Sequence, residues 1–378
     1  MDISQFRSGR FEPRYEYQAF LPEKVCHEWV VSDPALTELL GRADRALGGL
    51  NAFAQLVPDV EFFIRMHVAK EATQSSRIEG TQTNIEDAFK EADDLNPEER
   101  DDWAEVQNYI RAIHFAIRSL ERLPLSNRLL RETHAELLRG VRGEHKSPGE
   151  FRQSQNWIGV SLKNAAFVPP HHEHVPDLMS DLEKLLNDTT IYAHPLLRIA
   201  IAHYQFETIH PFLDGNGRLG RLMISLYLCS EGLLERPALY LSDYFERHKT
   251  AYVDHLMAVR EGHHLKEWLI FFLHGVEETA RESAAVFRKI LALKERMDTK
   301  VLPHFHPRRL ANVQTLMRHL YGRPVADSKW AAQKMETTTT TATTILLDLV
   351  NQKVLTEITG QRRNRLFAFQ EYISLFEQ

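Results

Sequence analysis

His210-Pro211-Phe212-Leu213-Asp214-Gly215-Asn216-Gly217-Arg218-Leu219-Gly220-Arg221 lies between two apolar stretches of helical period. Gly215 and Gly217 permit positive φ and close backbone approach. They fall where the second helix begins, so its free N–H groups and its dipole point outward together as an anion cradle. Arg218 and Arg221 are three apart and share a helix face, from which guanidinium groups fork onto phosphate oxygens. Asp214 offers a hard oxygen of the kind Mg²⁺ takes beside phosphates and water. His210 takes up a proton near neutral pH. A glycine-rich turn with solvated arginines is the bland alternative. Against it, a base, an acid, an amide and two guanidinium groups meet in twelve residues, and such convergence is what a reaction site requires.

Outward from this turn the periodicity predicts a mostly α-helical chain. Downstream, helices are expected over 215–230, 242–261 and 265–301, and upstream over 194–208 and 176–187. Between Gly140 and Pro176 the texture changes to glycines, prolines and two short apolar runs, Trp157–Val160 and Ala166–Val168, which predict a hairpin. Earlier helices are expected over 126–138, from Asn96-Pro97 through Ile117, from Val57-Pro58-Asp59 to the break at Gly80, and from the capping residues Ser32-Asp33-Pro34 to about Leu56. Residues 1–31 read as an extended, aromatic-rich arm. Pro303 and Pro307 suggest a boundary, followed by a helix over 310–321, a helix–turn–helix over 328–350 and a hairpin over 354–369 carrying Arg362, Arg363 and Arg365. That order predicts a winged helix. The expected domains are 1–100, 101–301 and 308–378, with two small hairpins in all.

The 378 residues carry a net charge of −6, so the chain as a whole is not built to coat nucleic acid. Cys26 and Cys229 lack metal-ligand spacing and read as reduced thiols. Residues 1–14 do not make a signal peptide, and no apolar run approaches the ~20 residues of a membrane span. A soluble, cytoplasmic protein without membrane contact is expected. His171, His172 and His174 read as a polar loop, since no further ligands converge on them.

The segment from His210 to Arg221 resembles the signature of the Fic family: His-Pro-Phe, two residues, Gly-Asn-Gly-Arg, two residues, Arg. The resemblance implies a Fic-type helical core with a hairpin flap, and a transfer of AMP from ATP to a Ser, Thr or Tyr hydroxyl of a protein, the enzyme itself included. It implies His210 as general base and Asp214 as the Mg²⁺ ligand. It further implies Gly215, Asn216, Gly217 and Arg218 on the α- and β-phosphates and Arg221 on the γ-phosphate. Ser75-Ser76-Arg77-Ile78-Glu79-Gly80 resembles the family's inhibitory motif, with Ser75 and Glu79 on one helical face. A Glu79–Arg221 pair would compete with the γ-phosphate, and the same carboxylate could orient a water for AMP removal. Lys163, Asn164, Ala165 and Ala166 fall at the tip of the flap, which in the family aligns the target by strand pairing. Tyr252 matches a position lining the adenine pocket, and Arg260 stands where some relatives have asparagine. The C-terminal module is similar to winged helices appended to bacterial relatives. Its helix from Thr338 has almost no Arg or Lys, so dimerisation or protein docking competes with DNA binding. Two further readings stand beside the enzyme: a DNA-binding regulator whose core senses nucleotide, and a transferase for another phosphate donor.

Overall fold

The computed structural model describes residues 1–56, 60–361 and 364–377. The expected helix restart at Val57-Pro58-Asp59, and Arg362 and Arg363 of the expected hairpin, lie outside the described residues.

The chain is mostly helical with small antiparallel sheets. A hairpin of β1 (Gly9–Pro13) and β2 (Gln18–Pro22) precedes α1 (Pro34–Leu56) and α2 (Val60–Ile78). Then come α3 (Arg100–Leu120) and α4 (Asn127–Leu137), the hairpin β3 (Ile158–Gly159) and β4 (Ala165–Phe167), α5 (Val175–Asn187), α6 (Pro195–Ile209) and α7 (Asn216–Ser230). The helices α8 (Ser242–Arg247), α9 (Lys249–Gly262) and α10 (Leu265–Arg296) complete the central region. The C-terminal module consists of α11 (Pro307–Leu320), β5 (Val325–Asp327), α12 (Ser328–Lys334), α13 (Thr339–Asn351), β6 (Thr356–Glu357), β7 (Leu366–Ala368) and α14 (Gln370–Ile373). Its strands form one antiparallel sheet in the order β5-β7-β6.

Helix α6 is the central post: every residue from Leu196 to Ile209 is buried. Its polar side chains, Arg198, His203, Gln205, Glu207 and Thr208, are buried with the apolar ones, so the helix has no solvent face. α7 packs against it, and Gly220 is what lets them approach, because a Cβ there would sit 2.2 Å from Glu207 Oε1. The signature turn therefore joins two buried helices and inherits their rigidity. α1 begins where Asp33 caps Leu36 N at 2.9 Å, and it lies along α10, where Arg42 meets Glu277 at 3.3 Å. α2 ends at Ile78, and Gly80 leaves the helical region at φ +102°.

Four expectations differ from the fold. The helix expected over 242–261 is two helices, broken at His248. The helix expected to Val301 is α-helical to Arg296 and widens into a π turn over Met297–Val301. The arm contains the β1–β2 hairpin, which sequence missed because Pro13 and Pro22 sit in its strands, and proline demotes a strand reading. The short strand β5 was missed as well. Among the described residues there are thus three small sheets. No described helix is long and apolar enough to cross a membrane. Both cysteines are free.

Candidate active site

His210 ends α6 in the left-handed conformation, φ 50° and ψ 60°. The next residues turn sharply, Gly215 (φ +72°) precedes α7, and no side chain caps that helix. Asn216 braces the turn: its Oδ1 accepts from Phe212 N at 2.8 Å and its Nδ2 donates to Phe212 O at 2.9 Å. Its side chain is thus spent on the backbone, leaving the start of α7 to face outward. His134 of α4 stacks on Phe212 with ring centroids 3.9 Å apart. Gly149 N donates to its Nδ1 at 2.8 Å, so Nε2 carries the proton and donates to Asp214 O at 2.9 Å. Burial pushes the His134 imidazole down to about 4, in keeping with this neutral tautomer.

A cavity of about 430 Å³ opens over the turn, lined by His210, Asp214, Gly215, Asn216, Gly217 and Arg221. The flap contributes Trp157, Ile158, Ala166 and Phe167, and α9 contributes Lys249, Tyr252 and Arg260. Burial, helped by the Arg260 and Arg152 cations, pushes His210 down to about 4. The ring is therefore neutral at physiological pH and able to accept a proton. Asp214, with its side chain 37% exposed, is the carboxylate at the mouth. Among the described residues no three His, Cys, Asp or Glu cluster as a metal site. A single open carboxylate fits Mg²⁺ held otherwise by phosphate and water.

Arg221 does not face the cavity freely. Its Nε donates to Ser75 Oγ at 2.9 Å, and its terminal nitrogen donates to Ser75 O and to Glu79 Oε1, both at 2.8 Å. The guanidinium is buried, and Glu79 lies across Gly217 so closely that a Cβ there would meet Glu79 Oε1 at 2.4 Å. Burial works to raise the Glu79 pKa, but the Arg221 and Arg218 charges outweigh it and hold the carboxyl below its usual range. Lys249 secures the end of the same helix, with Nζ donating to Ile78 O at 2.6 Å.

Several expected site residues sit differently from a simple phosphate grip. Arg218 is buried against Glu105 of α3 at 3.1 Å and does not line the cavity with Arg221. Of the four flap-tip residues only Ala166 lines the cavity; Lys163 turns to Glu16 of the N-terminal hairpin at 2.9 Å. Tyr252 lines the cavity with its ring, stacked on Phe245 at 4.4 Å, while its hydroxyl pairs with His203 Nε2 at 2.9 Å. Arg260 lies over the Phe167 ring at 3.9 Å and donates to Thr208 Oγ1 and Glu207 O, both at 3.1 Å. Sequence reasoning missed His134, Lys249, Arg152 and Glu207. Their partners lie far away in the chain, and no local spacing marks them.

Fold and turn define a helical protein with an open helix start, a neutral imidazole in the same cavity and a carboxylate lying over the helix start. The chain carries both domains of the Fic/DOC family: the Fic/DOC N-terminal domain matches residues 37–118 and the Fic/DOC domain residues 124–228. It is similar to the protein adenylyltransferase Fic of Aedes aegypti, with 36% identity over 131 residues, which are 34% of this chain and 24% of the mosquito protein. Protein adenylyltransferase fic-1 of Caenorhabditis elegans is 38% identical over 85 residues, 22% of this chain and 16% of that one. The match thus spans about a quarter or less of these curated relatives. A crystal structure of a Fic family protein from Desulfovibrio desulfuricans shares the fold with a TM-score of 0.56 and 20% identity, covering 89% of this chain and 96% of the other. C. elegans Fic-1 aligns with a TM-score of 0.51 at 22% identity, covering 69% and 75%.

Proposed function

We propose that this protein is an adenylyltransferase that moves AMP from ATP to a hydroxyl side chain of a protein, itself included, and that Glu79 restrains it. The observation that carries the reading is the Glu79–Arg221 pair lying over Gly217 in the cavity that holds His210. A carboxylate there occupies the place where the end of a triphosphate would meet the helix start and the guanidinium. ATP entering beside it meets like charge, and its phosphates cannot lie flat along the turn.

With Glu79 withdrawn, the start of α7 holds the phosphates, Arg221 takes the terminal one, and Tyr252 and Leu256 offer an apolar wall to the base. His210 then accepts the proton of the target hydroxyl, whose oxygen bonds to the α-phosphorus as pyrophosphate departs. Asp214 would hold Mg²⁺, which when bound neutralises charge on the leaving phosphates. The target strand pairs along the flap, where Ile158 and Val160 are exposed.

The test is incubation with α-labelled ATP and Mg²⁺. Glu79→Gly is expected to raise label on protein about tenfold or more, equivalent to ~1.4 kcal/mol of barrier. Adding His210→Ala is expected to abolish the label. Equal labelling of the wild type and Glu79→Gly would remove the restraint, and labelling that survives loss of His210 would remove the base. Release of AMP from modified protein by the wild type alone would assign Glu79 a second role in AMP removal.

We read the C-terminal module as a winged helix, and the regions 1–100, 101–301 and 308–378 as the chain's units. The module's topology supports the alternative of a DNA-binding regulator. However, α13 carries no Lys or Arg to neutralise phosphates, which favours a protein partner, a second copy of the chain included. A low-salt mobility shift on duplex DNA separates the two.

A further inference from the structure

We propose that Arg152, aided by Asn156, is the positioning residue for His210, and that it joins the flap to the base as one unit. The inference rests on the transfer reading above and adds residues that no motif contains. It begins with strain. A non-glycine residue in the left-handed region is strained and persists only where its surroundings hold it. His210 is such a residue, and its carbonyl is gripped from two sides, by Arg152 Nε at 2.9 Å and Asn156 Nδ2 at 3.1 Å. The grip extends along the turn: Arg152 N donates to Pro211 O at 2.9 Å, and Asn156 Nδ2 to Phe212 O at 2.8 Å.

The other nitrogens of the same guanidinium reach the flap. One donates to Ser154 O at 3.1 Å, where the chain enters the flap. The other donates to Pro170 O, where the chain leaves it, and to Ile209 O at 3.3 Å. One side chain, 3% exposed, thus collects four carbonyls from the two feet of the flap and the end of α6. Among the described residues no carboxylate pairs with it. A buried cation without a counter-charge is costly to retain, and burial pushes its pKa down to about 10. Only the planar fork of Arg, with five donors in fixed directions, satisfies these three segments at once; a Lys ammonium cannot span them. A target strand that pairs with the flap is therefore registered against the imidazole through Arg152, and misplacement of about 1 Å is enough to cost ~100-fold in rate.

The test uses the full chain in the Glu79→Gly background. Arg152→Lys keeps the charge and loses the fork. It is expected to lower kcat about tenfold or more while KM for ATP stays within about twofold, the signature of an interaction made in the transition state alone. Equal changes in kcat and KM, or an unchanged kcat, would overturn the proposal. Asn156→Ser is the milder second variant and removes one donor to the same carbonyl without altering charge. It is expected to shift the NMR resonances of the His210 imidazole, identified by their loss in His210→Ala. Unchanged resonances would also overturn it, and this readout needs no activity. Were Glu79→Gly itself inactive while the resonances still shifted, the transfer reading would fail and the positioning of His210 would stand.

Discussion

Glu207 sits one turn before His210 on α6, 6% exposed, with Oε1 lacking a partner. Burial pushes its carboxyl up to about 7, against the opposing pull of Arg221 and Arg260. The sign follows directly. A carboxyl with a raised folded-state pKa binds its proton more tightly folded than unfolded, so its contribution to stability is full below about 4.5 and is lost as pH rises through about 7. Glu207→Gln keeps the shape and never ionises. The variant is expected to match the wild-type Tm at pH 5 and exceed it at pH 8, by up to ~3 kcal/mol in stability. Calorimetry at the two pH values checks this, and a difference in Tm that is the same at both would contradict it. At this scale the sequence was informative where function is local. His210, Asp214, Gly215, Gly217 and Arg221 share one cavity, as twelve contiguous residues suggested. It was silent where a side chain's partner is remote. Nothing near Arg218 announces Glu105, and nothing near Asn216 distinguishes a phosphate ligand from a brace on Phe212.

At the scale of the element, helix α2 leads directly into Glu79, the residue proposed to restrain transfer, and its last turn is held by a neighbour. Lys249 at the start of α9 donates to the Ile78 carbonyl, one of the four acceptors that a helix C-terminus leaves unpaired. A cation there also complements the helix dipole. Lys249→Met retains the stem and removes the donor. Amides of residues 76–81 are expected to exchange with deuterium faster by about fivefold, corresponding to ~1 kcal/mol of local opening. Lys249→Arg is expected to retain most of the protection. Unaltered exchange in Lys249→Met would mean that the clamp does not depend on this cap. Long periodic helices were legible in the sequence, α1 and α6 to within a residue or two. The break at His248 was not, because α8 and α9 together keep a helical apolar pattern across it. The β1–β2 hairpin was hidden by its prolines, and its neighbour is the flap: Phe20 N donates to Val168 O at 2.9 Å. Such tertiary pairing has no local signature.

Across the whole molecule, α2 is a shared wall. Its C-terminal end lies at the candidate-site cavity, and its N-terminal half packs on the C-terminal module. Phe63, 1% exposed, meets Tyr321 at 5.4 Å and Tyr372 at 6.5 Å between ring centroids. Phe62 meets His319 at 5.8 Å, and His67 meets Phe376 at 5.1 Å. From Phe63 to Ile78 the helix spans ~22 Å at its regular rise, and Glu79 follows directly. A rigid helix seated at both ends ties the two seats together, so loosening the module's grip is expected to loosen the clamp. Phe63→Leu is mild enough to fold, with an expected cost of about 1–1.5 kcal/mol from imperfect packing. With Glu79 present, the variant is expected to raise AMP transfer several-fold. In the Glu79→Gly background it is expected to add nothing, because the restraint it acts through is already gone. That non-additivity separates a shared helix from general destabilisation, which would lower activity in both backgrounds. A rise of equal size with and without Glu79 would show that the aromatic seat and the carboxylate act independently, and α2 would then be a structural wall with an inhibitory tip.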